Sequence, residues 1–421
     1  MKQYAMMEKR GAKAAFGLFL FAMLLLARDT LITSCLLGFT KSQFLMLGLI
    51  CLFALGFLAV NRGAWKQILC DRRMLLIAVS TVLLLVPMVV KRDWQMMYFS
   101  ILICLFFAVF LSYFTTVREV AKYYVVMLTG LGLYSVLVSN ALKYMVLAGW
   151  FSVPVFYNSS GWEFQNFGLG FAVSWTYWHR NFGIFREPGV YQFFILMALY
   201  LNNYFVSWNK QRSLWVVNGI LIVTMLSTFA VGGIIELGLF AVFLYFDKQW
   251  HKNKWGKIAG ISLTIAMIAF FIHVVIMVRK PGSEATVYYV FTDLYLRLFT
   301  NSDSLVDRLS AIFTNLKIFL DAPVFGNTIA NVLHGTNHNT SSTLILYAVL
   351  GVLGGSLNVA AWIALAWEKR RNLLGNLVLM VILFMSFNTQ NLVADVFFWL
   401  FPFMALTERG LPLIKIPERK G

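Results

Sequence analysis

The chain has 421 residues, of which 60% are hydrophobic, 16% aromatic and only 13% charged, and its formal net charge is +17. A water-soluble protein of this length could not cover so much apolar surface with so few charged groups, so a set of two or three soluble domains is excluded. The composition is that of a polytopic membrane protein, read as a single integral membrane domain over 1–421, and its positive charge follows from topology and anionic lipid without any nucleic acid.

A membrane helix takes about 20 mostly apolar residues. Lys2, Lys9, Arg10 and Lys13 precede the first apolar run, and no clear small-residue cleavage site follows, so 12–27 is expected to be an uncleaved first span. Further spans are expected near 44–60, 74–90, 96–116, 120–138, 189–206, 214–230, 232–246, 258–278, 343–367, 373–387 and 392–406. The expectation is therefore an all-α fold of about twelve transmembrane helices. Two long connections, at 139–188 and 279–342, interrupt it. Cys35, Cys51, Cys70 and Cys104 lie within or beside apolar stretches of the first quarter, which points away from a disulfide framework or a Cys/His metal cage.

Basic residues orient the chain. The tails and alternate loops carry Lys2/Lys9/Arg10/Lys13, Arg62/Lys66/Arg72/Arg73, Arg118/Lys122, Lys210/Arg212, Lys248/Lys252/Lys254/Lys257, Lys369/Arg370/Arg371 and Arg409/Lys415/Arg419/Lys420, together 23 of the 35. Both termini are thus expected to be cytoplasmic and both long loops extracytoplasmic. Arg180, Arg186, Arg279, Lys280, Arg297, Arg308 and Lys317 stand in the outer loops, where topology alone disfavours them.

The first loop is dense in aromatics, among them Trp150, Trp162, Phe164, Phe167, Phe171, Trp175 and Trp178. Two readings stand and are compatible: an interfacial aromatic belt on a surface-lying segment, and a stacking platform for sugar rings, with Trp162, Trp175 and Trp178 as its candidates. The loop ends in His179-Arg180-Asn181-Phe182-Gly183-Ile184-Phe185-Arg186-Glu187-Pro188. Pro188 suits the first turn of the next helix, where its missing N–H is unpaired anyway. Arg186 and Glu187 then stand at an outer helix N-terminus, whose free N–H groups and dipole favour an anion. A guanidinium fork there suits phosphate oxygens, while a pair of Glu187 with Arg186 or Arg180 would simply pin the loop.

The second loop is expected to hold two short amphipathic helices. Val287 to Phe299 places Val287, Val290, Phe291, Leu294 and Leu298 on one face, with Asp293 and Arg297 spaced as an i,i+4 pair. Ser304-Leu305-Val306-Asp307 reads as a capping box. It opens a helix with Leu305, Leu309, Ile312, Leu316 and Phe319 on its apolar stripe and Arg308 on the polar side, ended by Pro323 and Gly326. After His334-Gly335-Thr336-Asn337-His338-Asn339, Thr340 or Ser341 caps the next span. His338 then stands at another outer helix start, as a capping residue or as a neutral imidazole able to accept a proton. The chain has no Asp-x-Asp, Gly-x-Ser-x-Gly, Walker-type loop or His-Glu-x-x-His. No metal or other cofactor is expected. Glu236 and Asp395 are the notable acids inside spans, both near outer ends.

The segments Arg186-Glu187-Pro188-Gly189 and Asn337-His338-Asn339 resemble those of the bacterial O-antigen polymerase and O-antigen ligase family, the Wzy-type and WaaL-type membrane glycosyltransferases. Ser227-Thr228 before Gly232-Gly233, Ser304-x-x-x-Arg308, and Pro323-x-x-Gly326 leading to His338-Asn339 and the span with Gly351, Gly354 and Gly355 are further points of similarity, over roughly 180–360. Where such proteins commonly have Ser-Arg-Gly before the eighth span, this chain has Phe229-Ala230-Val231-Gly232-Gly233.

The resemblance implies a GT-C-like fold and transfer of a glycan from undecaprenyl diphosphate to an acceptor sugar at the outer face of the bacterial plasma membrane. It implies that Arg186 and Arg308 grip the diphosphate, with Arg180 and Arg297 as helpers. His338 takes the acceptor proton with Asn339 assisting, and Glu187 is the alternative base. The expected partners are the undecaprenyl-diphosphate-linked oligosaccharide, membrane lipids, a chain-length regulator and a flippase. A polymerase joining lipid-linked repeat units leads, and a ligase to a lipid A core or other acceptor follows. A transporter or flippase would need polar groups through its spans, and here the span centres are almost free of charge.

Overall fold

In a computed structural model, residues 10–60, 71–159, 161–173, 178–249, 252, 254, 303–334, 340–369 and 371–410 are described. The expected span at 258–278, the helix at 287–299 with Arg297, and Trp175, His338 and Asn339 lie outside these residues, as does the side chain of Arg308.

The described chain is mostly helical. In order, the helices are α1 (Arg10–Leu25), α2 (Phe39–Val60), α3 (Arg72–Lys91), α4 (Met96–Leu111), α5 (Val117–Tyr134), α6 (Asn140–Leu147), α7 (Pro188–Tyr204), α8 (Gln211–Ser227), α9 (Val231–Asp247), α10 (Asp303–Asp321), α11 (Ile329–His334), α12 (Ser342–Ala366), α13 (Leu373–Asn388) and α14 (Val396–Gly410). Four stretches are long and apolar enough to cross a membrane: Phe39–Phe57, Arg73–Lys91, Val117–Leu147 and Ser342–Ala366. Gly11–Leu25, Met96–Leu111, Leu373–Asn388 and Val396–Glu408 are shorter apolar helices.

The arrangement of apolar residues is that of a membrane bundle. Leu52 and Leu55 of α2, Leu75, Val82 and Val89 of α3, and Val378 and Val381 of α13 face outward. The polar Gln192, Asn202, Asn218 and Asn358 are buried. Helices α7 and α14 are enclosed on nearly every side: Phe193 to Leu201 and Val396 to Leu400 are all buried. Tyr124 of α5 locks α5 to α7 by donating to the Phe194 carbonyl at 3.1 Å, with its ring on Phe397 and Phe401.

Two features correct the sequence reading. The first long loop does not begin at 139, because a π-helical turn, Ser135–Ser139, carries α5 straight into α6 and the helix runs on to Leu147. Ser135, Ser139 and Lys143, whose polarity reads as the end of a span, are buried against the loop that follows. The second feature is a small strand segment within the mostly helical fold. The loop contains a three-stranded antiparallel sheet, β1 (Val155–Tyr157), β2 (Glu163–Asn166) and β3 (Phe171–Val173), in the order β1-β2-β3. The β2–β3 turn sits on α5: Tyr134 donates to the Phe167 carbonyl at 2.7 Å, and Gly168, at φ 75°, leaves room for that hydroxyl.

The expected helix before Pro323 is present as α10, but it already includes Asp303, so Ser304 lies inside its first turn and does not precede it. The expected cap of α12 differs. Ser341 occupies the position, but its hydroxyl donates to Asn388 of α13 at 3.0 Å, and that same Asn388 oxygen accepts the Thr343 N–H at 3.1 Å. A neighbouring helix therefore caps this one.

The connections fall into two sets, as alternating crossings require. One end joins Thr30 to Phe185, Arg28 to Asn391, Asn181 to Ser227 and Ser342 to Gln390. The other joins Arg73 to Ser112, the Val117 N–H to Glu408, and Asp247 to Arg371. At this second end Arg371 is nearly buried, bonded to Asp247 at 2.7 Å, to the Ala366 carbonyl and to Asn376, and stacked on Tyr204 and Phe243. Tyr204 donates to the other Asp247 oxygen at 2.7 Å. Removing one member of a buried pair strands its partner, so Arg371→Ala is expected to cost about 3 kcal/mol of stability. Its thermal unfolding in detergent, compared with Asp247→Asn and the double variant, measures this; unchanged melting of Arg371→Ala would show that the pair contributes nothing.

Candidate functional site

The end that gathers the 26–38, 178–187, 228–230 and 389–395 connections also collects charged residues singled out in the first long loop. The run from Trp178 to Glu187 is fixed there by Asn181, which is buried. The Asn181 amide donates to Ser135 at 2.9 Å and Ser227 at 2.8 Å, its oxygen accepts the Gly183 N–H at 2.9 Å, and its own N–H reaches the Ser227 carbonyl. The π-helical turn exposes Ser135 to this bond. Lys143 holds the Arg180 carbonyl at 3.1 Å, and the Arg180 side chain donates to the Thr228 carbonyl at 3.2 Å.

Pro188 opens α7 as expected, with Glu187 in the cap position and no side-chain cap bond. Arg186 therefore stands one residue outside a helix N-terminus. Its guanidinium bonds Asp29 at 3.0 Å and Glu187 at 3.3 Å. The pairing reading thus holds for Arg186 and Glu187, but the shorter partner, Asp29, comes from the connection after α1, far upstream in the sequence. Burial disfavours the Arg186 charge, yet Asp29 and Glu187 outweigh it and hold its pKa above the ordinary arginine value.

Asp29 is joined to the loop by its backbone as well. The Arg186 N–H donates to the Asp29 carbonyl at 2.6 Å, the Leu31 N–H to the Ile184 carbonyl at 3.1 Å, and Thr30 bridges Phe185. Asp29 itself sits at φ 65°, a left-handed conformation that Asp tolerates better than most residues. Arg28 lies 3.9 Å from the other Asp29 oxygen, donates to Asn391 at 3.1 Å and rests over the Phe39 ring. Beneath Asn391, Asp395 caps α14 through the N–H groups of Phe397 and Phe398, at 2.8 and 3.3 Å. Glu236 is buried on α9, one turn past Gly233, where α9 meets Gln192 of α7. Cys35 lies close enough to Arg186 to feel its charge, yet burial pushes its thiol above the ordinary value against the pull of that arginine.

The aromatic candidates separate. Trp162 is exposed at the β1–β2 turn, where the Asn158 side-chain oxygen accepts its backbone N–H at 2.9 Å. Trp178 packs edge-on against Tyr144 of α6. Phe164, Phe167 and Phe171 are buried, so part of this aromatic loop is core and no platform. Among the described residues, no three His, Cys, Asp or Glu side chains cluster as a metal site would require.

Between α10 and α11 the chain is docked on a break in α12. Helix α12 breaks at Gly351, which has φ 68° and ψ −169°. The backbone groups freed there bond the turn after α10: Asn327 N–H to the Ala348 carbonyl at 2.6 Å, and Val352 N–H to the Pro323 carbonyl at 2.7 Å. Lys91, ending α3, donates to both the Asn327 and Val349 carbonyls, and Asp93 accepts the Ile329 N–H at 2.6 Å to open α11. Arg28, Asp29, Asn181, Lys91 and Asp93 form no motif in the sequence. The only signal was polar residues in short turns between apolar spans.

Comparison with family models, with curated proteins and with solved structures gave no match.

Proposed function

We propose that the protein is a polysaccharide polymerase of the bacterial plasma membrane. In this reading it is a twelve-span bundle with cytoplasmic termini that joins lipid-linked repeat units for an O-antigen, capsule or exopolysaccharide. The observation that carries the reading is Arg186. It is a partly exposed guanidinium one residue outside the N-terminus of an enclosed helix, at the end where the polar connections converge. That position offers an anionic lipid headgroup a fork of donors and a favourable helix dipole together.

The donor is a glycan on undecaprenyl diphosphate. The acceptor hydroxyl attacks the anomeric carbon, the bond from that carbon to the diphosphate oxygen breaks, and the hydroxyl proton passes to His338. Arg186 and Arg308 take up the charge that develops on the leaving diphosphate, with Arg180 and Arg297 beside them. A single displacement of this kind inverts the anomeric centre. Asn339 orients the acceptor, Trp162, Trp175 and Trp178 bear on the sugars, and Glu187 is the second candidate base.

The test is turnover of undecaprenyl-diphosphate-linked repeat units by the full chain in nanodiscs with EDTA present, resolved by mass spectrometry. A ladder of lengthened glycans that disappears in His338→Ala is the expected result. Transfer only to an added non-lipid-linked or lipid A core acceptor would replace the polymerase by a ligase. Passage of the donor across a proteoliposome bilayer without any transfer would replace the enzyme by a transporter.

A further inference from the structure

Arg186 shares its carboxylate. Asp29 presents one oxygen to Arg186 at 3.0 Å and the other to Arg28 at 3.9 Å, so two guanidinium groups from distant parts of the chain meet on one small acid. Neither is fully buried: the side chains of Arg28 and Arg186 are 25% and 34% exposed, against 14% for Asp29. Asp29 is also the more constrained of the acids here. Its backbone is held in the left-handed region by the Arg186 N–H and the neighbouring bridge, and strain of that kind persists only where the surroundings enforce it. Glu187, 48% exposed, is the acid that an incoming anion displaces at least cost. Arg28 is meanwhile steered by Asn391 and by the Phe39 ring towards the same end of the bundle.

We infer that Arg28 is a second phosphate-binding guanidinium of this site, and that Asp29 is the fixed strut that sets Arg28 and Arg186 side by side for a diphosphate headgroup, with Glu187 as the exchangeable counter-charge. The inference rests on the reading of Arg186 given above. It adds a residue pair from the first outer turn that no sequence motif marks. Two forks on adjacent phosphates grip a diphosphate more firmly than a monophosphate, so the site discriminates between the lipid-linked donor and the lipid monophosphate.

The experiment uses the full chain in nanodiscs, with inorganic pyrophosphate and inorganic phosphate as probes in calorimetric titrations and thermal unfolding as the folding control. Wild type is expected to prefer pyrophosphate. Arg28→Ala and Arg28→Gln should each weaken pyrophosphate roughly tenfold while changing phosphate less. Arg28→Gln keeps a side chain that can bond Asn391 and guards against a folding defect. Asp29→Asn supplies the sharper test. It makes the site more positive, so a mere counter-charge at 29 predicts tighter binding, whereas a strut predicts weaker binding. Tighter binding in Asp29→Asn, or unchanged binding in Arg28→Gln while Arg186→Ala loses it, overturns this inference and leaves the phosphate site at Arg186 standing. Absence of pyrophosphate binding by the folded wild type overturns both.

Discussion

Gly351→Ala should fail to yield a stably folded protein. At φ 68° and ψ −169° this residue occupies a region that is essentially reserved for glycine. A Cβ there would also lie inside the Val324 carbonyl and 2.9 Å from the Phe325 nitrogen. The obstacle is backbone, which has no rotamer to swing away. Gly326, at φ 67°, faces the break from the other side and is closed off by the Val349 carbonyl and the Gly351 nitrogen in the same way, so the two chains can meet only because neither has a side chain. Moving them apart would strand the Ala348 and Pro323 carbonyls and the Asn327 and Val352 N–H groups. An unpaired buried backbone group costs about 1–3 kcal/mol, and several would be lost together. Gly219→Ala and Gly238→Ala are the controls. Both lie in helices with open space around the added carbon, and each should hold or slightly raise the melting temperature. The comparison is made by size-exclusion profile and thermal unfolding in detergent. A monodisperse Gly351→Ala with the melting temperature of wild type would show that the break in α12 is not fixed by this contact.

That prediction depends on a feature the sequence only half discloses. Gly351, Gly354 and Gly355 announce small residues in a span, but a helix break and its docking partner are facts of tertiary structure. The helices themselves are largely legible, because residues that face lipid must be apolar along their whole length and the chain has few places to hide a charge. The reading goes astray where polar residues are buried inside the protein. Ser135, Ser139 and Lys143 look like the end of a span and are instead the inner face of a continuing helix, where Ser135 meets Asn181 and Tyr191 and Lys143 holds the Arg180 carbonyl. The sheet at 155–173 escapes for a different reason. Strands of three and four residues are too short for a period-two pattern to emerge, and their aromatic content is equally that of an interfacial belt. At the candidate site, Arg186, Glu187 and Pro188 were legible through helix-start chemistry. Asp29 was not, since a carboxylate some 150 residues upstream carries no local signature of its partner.

If the proposed glycan transfer is the activity, Arg186→Ala should reduce it by at least roughly a hundredfold, the scale on which loss of one oriented donor to a developing oxyanion acts. Its effect has two parts that Arg186→Lys separates. The first is charge, which lysine retains. The second is the planar fork, of which a single terminal nitrogen meets both Asp29 and Glu187 while the Arg186 backbone N–H binds the Asp29 carbonyl. A lysine ammonium is a point charge on a flexible stem and cannot meet two carboxylates and a phosphate with planar geometry. Arg186→Lys is therefore expected to restore little of the activity lost in the alanine variant. The backbone bond to Asp29 survives both substitutions, so the loop should remain docked and membrane insertion should be unchanged. Glu187→Gln probes the other side of the same pair. If Glu187 only balances charge, its loss leaves turnover near wild type and lowers the KM for the lipid-linked donor, because the fork no longer has to be vacated. If Glu187 is the base, turnover falls while KM holds. Near-normal transfer by Arg186→Ala, with the protein inserted and folded, would remove this arginine from the site and with it the strongest support for a diphosphate donor.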